Sequence, residues 1–173
     1  MVKMTGLFLA FIAAAAMGMM KATEIRRRRQ LLEEFRDLTA HIATEISYFK
    51  EPLPQIFARL SASDNRETSV LLRSVMAAYR NEHEARSLQQ MWEQGIDLVY
   101  EKSSLTADDI SVMKKCGQFL GQSDFRGQQD HFRLLDGQLE RQISEAEEAI
   151  RTKGRMYSRL GVSVGLVIVI ALV

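Results

Sequence analysis

Few residues in this chain have the type and spacing that chemistry needs. His41 and Glu45 stand four apart, one turn of a helix, so their side chains can meet. Two candidate ligands do not hold a metal, and a solvated or hydrogen-bonded pair is the simpler account. None of His41, His83 or His131 has a glutamate three residues before it, which removes the Glu-x-x-His of di-iron bundles. The lone Cys116 excludes a disulfide framework within the chain and every Cys-based zinc cluster. There is no GxxxxGK[ST], GxGxxG or HExxH. Gly161-Val162-Ser163-Val164-Gly165 matches the G-x-S-x-G nucleophile elbow, but that motif works only on a strand-to-helix turn with a histidine and an acid nearby. Here it lies in an apolar tail, with no acid after Glu148. Gly161 and Gly165 read better as a small-residue face that lets helices approach closely in lipid. Gly117 and Gly121 repeat that spacing in the middle of the chain. No catalytic, cofactor-binding or metal-binding residues are expected.

The densest chemical feature is cationic: Arg26, Arg27, Arg28 and Arg29. Anionic lipid head groups or nucleic acid could take such a block. It follows the uncharged run of residues 4–20, and position therefore favours lipid. Nucleic-acid binding would want more excess charge than the net +1 of the chain.

The elements around these residues fall into three parts. Residues 4–20 are 17 uncharged positions between Lys3 and Lys21, about 25 Å as a helix. Small residues at Ala13 to Ala16 would suit a signal peptidase, but the arginine block directly downstream resists translocation and favours a retained anchor. The second apolar run, Leu160 to Val173, is about 21 Å long by the same rise, with Tyr157 and Arg159 at the place of an interfacial belt. Lys21, Lys153, Arg155 and Arg159 lie beside these runs, toward the middle of the chain. The positive-inside rule then makes the middle cytoplasmic and turns both termini outward. Five of the 23 cations belong to the flanks, which leaves 18 against 22 acids in residues 24–151, a net of −4.

The middle predicts helices. Leu31, Phe35, Leu38, Ile42, Ile46 and Phe49 recur at spacings of three and four over Glu24 to Lys50. Pro52 and Pro54 stop that helix, and Pro54 suits the first turn of the next, which carries Ile56, Phe57 and Leu60. Ser61 to Glu67 reads as a loop. A third helix carries Val70, Leu71, Val75 and Tyr79. A fourth carries Leu88, Met91, Trp92, Leu98 and Val99, with Gly95 weakening its middle. Trp92 at this spacing reads as core rather than as a binding hot spot. Thr106 and Asp109 form a capping box for a fifth helix with Ile110, Met113, Cys116, Phe119 and Leu120. A sixth, with Phe125, Phe132, Leu135, Leu139, Ile143, Ala146 and Ile150 on one face, has no strong breaker before the apolar tail and is expected to run into it as one helix of about 50 residues. The expected fold is all-α: an N-terminal transmembrane helix in residues 1–22, a six-helix cytoplasmic bundle in 23–156, and a membrane segment in 157–173 entered by the last helix.

In order and spacing, several short stretches resemble the stage III sporulation protein AB family of endospore-forming bacteria. They are Lys21-Ala22, Glu45-Ile46-Ser47-Tyr48 before Pro52-Leu53-Pro54, Trp92, and Leu105 with Asp108-Asp109. Phe119-Leu120-Gly121-Gln122-Ser123-Asp124, Gln128 or Gln129, and Lys153 to Gly161 complete them. Members of that family are similar to one cytoplasmic six-helix module of the type II secretion F platform protein. The resemblance implies a non-enzymatic membrane platform of the sporulation channel between mother cell and forespore. It would work beside a cytoplasmic secretion-type ATPase and ring-forming membrane proteins, in the mother-cell membrane facing the forespore. It implies no cofactor, no nucleic acid and no small-molecule substrate. A membrane-anchored sensor or adaptor that binds lipid or a regulator is the other open class, and a membrane-bound enzyme with a scattered site a third. Glu45, Tyr48, Leu120, Gly121, Ser123 and Asp124 belong to two helix junctions. They are candidates for a partner interface, although caps and packing explain them more simply.

Overall fold

A computed structural model describes residues 2–49, 51–62, 66–80, 86–120 and 125–154. Six α-helices follow one another: α1 (Val2–Phe49), α2 (Leu53–Ala62), α3 (Glu67–Arg80), α4 (Leu88–Tyr100), α5 (Ala107–Phe119) and α6 (Phe125–Ala149). There is no strand among the described residues. The chain divides into two compact units, residues 30–143 and residues 1–29 with 144–173.

α1 is a single helix of 48 residues, where the sequence suggested an anchor and a separate first helix of the bundle. Nothing from Lys21 to Glu24 breaks it: these residues carry no Gly or Pro, and Lys21 pairs with Glu24 at 2.8 Å one turn on. At the other end of the chain the last helix changes form, and its expected run into the apolar tail lies outside the described residues. α6 stops at Ala149 and Ile150–Gly154 follow as a π-helical turn. The Thr152 hydroxyl donates to the Glu148 carbonyl at 2.7 Å, a back-bond that competes with regular helix pairing at that oxygen. Among the described residues no helix is long and apolar enough to cross a membrane. The side chains of residues 2–15, 17 and 18, and all of 155–173, lie outside the described residues, and the two apolar runs fall almost entirely there.

In the unit of residues 30–143 the core closes on Trp92, which is 0% exposed. Its indole Nε1–H donates to the Met113 carbonyl of α5 at 3.0 Å. The rings of Phe35 on α1 and Phe57 on α2 stand 6.1 Å from it, centroid to centroid, both tilted. Leu32, Ile42, Ile56, Leu71, Leu72, Ile96 and Leu139 are as deeply buried in the same unit. Two stripes differ from their expected course. On α3 the buried face runs through Thr68, Leu71, Leu72 and Val75, and turns Val70 and Tyr79 to solvent. On α4 it runs through Met91, Trp92, Ile96 and Tyr100, and leaves Leu98 exposed. A periodicity admits several rotations of one helix, and the packing partner selects one.

Both capping boxes are local. Thr106 Oγ1 accepts from Asp109 N–H at 3.2 Å, while Asp109 Oδ2 accepts from Thr106 N–H at 2.8 Å. Ser87 and Gln90 do the same at the start of α4, through a Ser-x-x-Gln signature. Pro54 sits in the first turn of α2, as its missing N–H requires. Ser61, Ala62 and Glu67 are helical rather than part of a loop.

Two glycines are packing elements. A Cβ at Gly95 would stand 2.9 Å from Leu71 Cδ1 and from Ser74 Oγ, and one at Gly117 would stand 2.8 Å from Trp92 Cδ1. Gly95 therefore permits the approach of α3 to α4 rather than merely weakening α4. Gly117 gives the indole its floor. A Cβ at Gly137 on α6 would meet nothing within 4 Å. Gly117→Ala is expected to destabilise the domain by about 1–3 kcal/mol, because the rigid indole has nowhere to move. Gly137→Ala is expected to stabilise it by about 0.5–1 kcal/mol. Chemical denaturation followed by Trp92 fluorescence measures both.

Candidate functional site

The two junctions singled out in the sequence lie at connected places. At the first, α1 ends and α2 begins. Glu45 on α1 forms an ion pair with Arg59 on α2, and Arg59 also reaches Glu51 at 2.9 Å. The guanidinium thus clasps the turn that Pro52 creates. At the second, Leu120 is buried at the end of α5 in extended backbone. Gln128 Nε2 donates to the Phe119 carbonyl at 2.9 Å, satisfying one of the acceptors that a helix C-terminus leaves open. The Phe119 and His131 rings stack at 4.1 Å, nearly parallel. Gly121, Ser123 and Asp124 lie outside the described residues.

One bond joins these two places. Gln129 Nε2, next to Gln128 on α6, donates to Ser47 Oγ on α1 at 3.0 Å. Glu45 and Leu120 therefore belong to helix ends that meet at one end of the bundle. Sequence alone left them 75 positions apart. Tyr48 stands beside this bond and is 80% exposed, the most open of the large apolar side chains described. A cleft of about 770 Å³ lies between α1 and α6, with Ala40, Ala43 and Ser47 on one wall and Phe132, Arg133 and Gly137 on the other. Tyr48 and Gln129 are part of its lining.

Asp136 on the cleft wall has a two-bond partner on α1. Arg36 on α1 binds Asp136 on α6 through two bonds, Nε to Oδ1 at 2.5 Å and a terminal nitrogen to Oδ2 at 3.0 Å. Glu140 adds a weaker partner at 3.5 Å. No local pattern signals a pair that is 100 positions apart. Its hydrogen bonds from Arg36 hold the Asp136 carboxyl below the usual carboxylate range.

In the unit of residues 1–29 and 144–173, Arg28 faces Glu145 at 4.0 Å and Arg29 faces Glu147 at 3.1 Å. Arg26 is exposed and Arg27 half-buried. The side chain of Lys153 and all of Arg155, Arg159, Gly161 and Gly165 lie outside the described residues. Among the described residues no three of His, Cys, Asp or Glu come together as a metal site. His41 is exposed on α1. Cys116 is a free thiol in the core, and burial pushes its pKa far up, which leaves it protonated and unreactive. What these residues offer is an exposed aromatic at a joined pair of helix ends and a cleft between two helices.

The family model of stage III sporulation protein AB matches residues 3–173. A solved structure of a stage III sporulation protein AB superposes with a TM-score of 0.65 at 25% sequence identity, covering 72% of this chain and 97% of that one. Comparison with curated proteins finds no match.

Replacing Asp136 with Asn is expected to lower stability by at most about 1 kcal/mol at neutral pH, since both side chains are partly solvated. The depressed carboxyl contributes stability that is complete above the ordinary carboxylate pKa and fades as pH falls through its lower, folded value. The wild-type minus Asp136→Asn difference in denaturation free energy should therefore shrink on acidification and be flat above about pH 6.

Proposed function

The chain belongs to the stage III sporulation protein AB family, and from that premise we propose that it is a membrane-held platform of the sporulation channel between mother cell and forespore. Its bundle couples a cytoplasmic secretion-type ATPase to ring-forming membrane proteins without catalysing a reaction itself. The single observation that carries this is the family match over residues 3–173, which includes both apolar ends as well as the bundle.

Physical features support the proposal. The apolar runs at 4–20 and 160–173 are each flanked on the inner side by cations, a pattern that supports a cytoplasmic bundle held at both ends in the mother-cell membrane that faces the forespore. The described polar groups serve caps, ion pairs and helix junctions rather than a nucleophile with its base. A platform needs shape and exposed anchors instead. Tyr48, a large amphipathic side chain at a rigid junction, is of the type that dominates protein interfaces.

Cross-linking and affinity purification from sporulating membranes test the proposal, with a tag inserted at Ser63 to Asn65. Recovery of a secretion-type ATPase together with ring proteins is the expected result. Recovery of this chain alone from a soluble fraction would refute it. Tyr48→Ala should lose at least tenfold in recovery of one partner while leaving the thermal midpoint within about a degree, because an exposed side chain contributes little to the fold. Unchanged recovery would remove Tyr48 from the interface.

A further inference from the structure

Four consecutive arginines invite treatment as one electrostatic unit, but a helix turns each about 100° from the last. α1 therefore deals them to different environments. Arg28 and Arg29 face glutamates of α6. Arg26 is exposed and forms no hydrogen bond or ion pair with any described residue. It shares its face of α1 with Ala16, Met19, Met20 and Thr23, all exposed and spaced by three or four. Met19 and Met20 are 63% and 65% exposed, an open apolar pair that ends the uncharged run of 17 residues.

The distances suit a membrane boundary. Arg26 stands six residues past Met20, about 9 Å along α1. Side chains on a helix lean toward its N-terminus, so the guanidinium leans back toward Met20. The head-group layer outside the hydrocarbon is roughly 5–8 Å deep per leaflet, within that reach. Lys21 lies nearer the apolar run, but Glu24 already balances its charge at 2.8 Å. A guanidinium offers paired donors that match two phosphate oxygens, which an ammonium does not.

We propose that Arg26 binds the phosphate of an anionic phospholipid head group, with Met19 and Met20 seated at the acyl boundary beside it. Arg28 and Arg29 instead serve as internal ion pairs to α6. This rests on the membrane reading above. It separates Arg26 from the paired Arg28 and Arg29 of the same basic block.

The test uses the full chain reconstituted with phosphatidylcholine containing spin-labelled phosphatidylglycerol or spin-labelled phosphatidylcholine, and measures the preference for the anionic label. The wild type should prefer phosphatidylglycerol. Arg26→Gln should reduce that preference about fivefold with the thermal midpoint unchanged. Arg28→Gln and Arg29→Gln should keep the preference, with at most a small fall in the midpoint. Equal loss in all three variants, or no loss in Arg26→Gln, would overturn the assignment. Excess glycerol phosphate should leave the preference intact, and its abolition would mean a soluble phosphate ligand and overturn the lipid. Failure of the wild type to float with vesicles of either composition would remove the membrane reading itself, and this site with it, by a result distinct from the other arms.

Discussion

The indole of Trp92 has one polar atom, and a bundle interior that excludes water must give that atom an acceptor. Met113 supplies it from α5, at a backbone carbonyl rather than a side chain. Backbone geometry thereby fixes where α4 and α5 cross. The rings of Phe35 from α1 and Phe57 from α2 then pack against the indole, both tilted, and Gly117 leaves room where any side chain would collide. Four of the six helices take their relative positions from a single side chain. Gly95 adds α3 by letting Leu71 and Ser74 come close to α4.

With the core set in this way, the surface features follow. α1 and α6 meet through Ser47 and Gln129, and α6 reaches α5 through Gln128 and Phe119. The first joins two side chains, and the second satisfies a carbonyl that the C-terminus of α5 leaves open. The same bonds bring two distant junctions to one end of the domain and leave Tyr48 standing outside. Small side chains on α1 and Gly137 on α6 keep the cleft between these helices open. A domain of this kind presents shape and anchors. The buried carboxylate of Asp109 is occupied in capping α5.

Charge is distributed on the same logic. The arginines of α1 oppose acids of α6: Arg28 and Arg29 in one unit, Arg36 in the other. Pairs this exposed contribute little each to stability. They decide instead which cations remain available to the outside.

Much of the architecture was legible in the order of residues because it is local. Helix periodicity, the stop at Pro52, the capping box at Thr106 and the burial of Trp92 depend on neighbours within a turn or two, and each is found where the sequence placed it. The family, too, was legible, since its marks are short runs in a fixed order. Tertiary structure alone decided the rest. Val70, Tyr79 and Leu98 face solvent because the opposing helix selects one rotation among several that the periodicity allows. Gly95 and Gly117 changed from weak helix residues to required ones because a neighbour stands against them. The pairing of Arg36 with Asp136, and the division of four like arginines into paired and open positions, depend on which helix lies opposite. A sequence states what a helix carries on each face. What stands against that face is settled only when long-range packing brings the other helices to it.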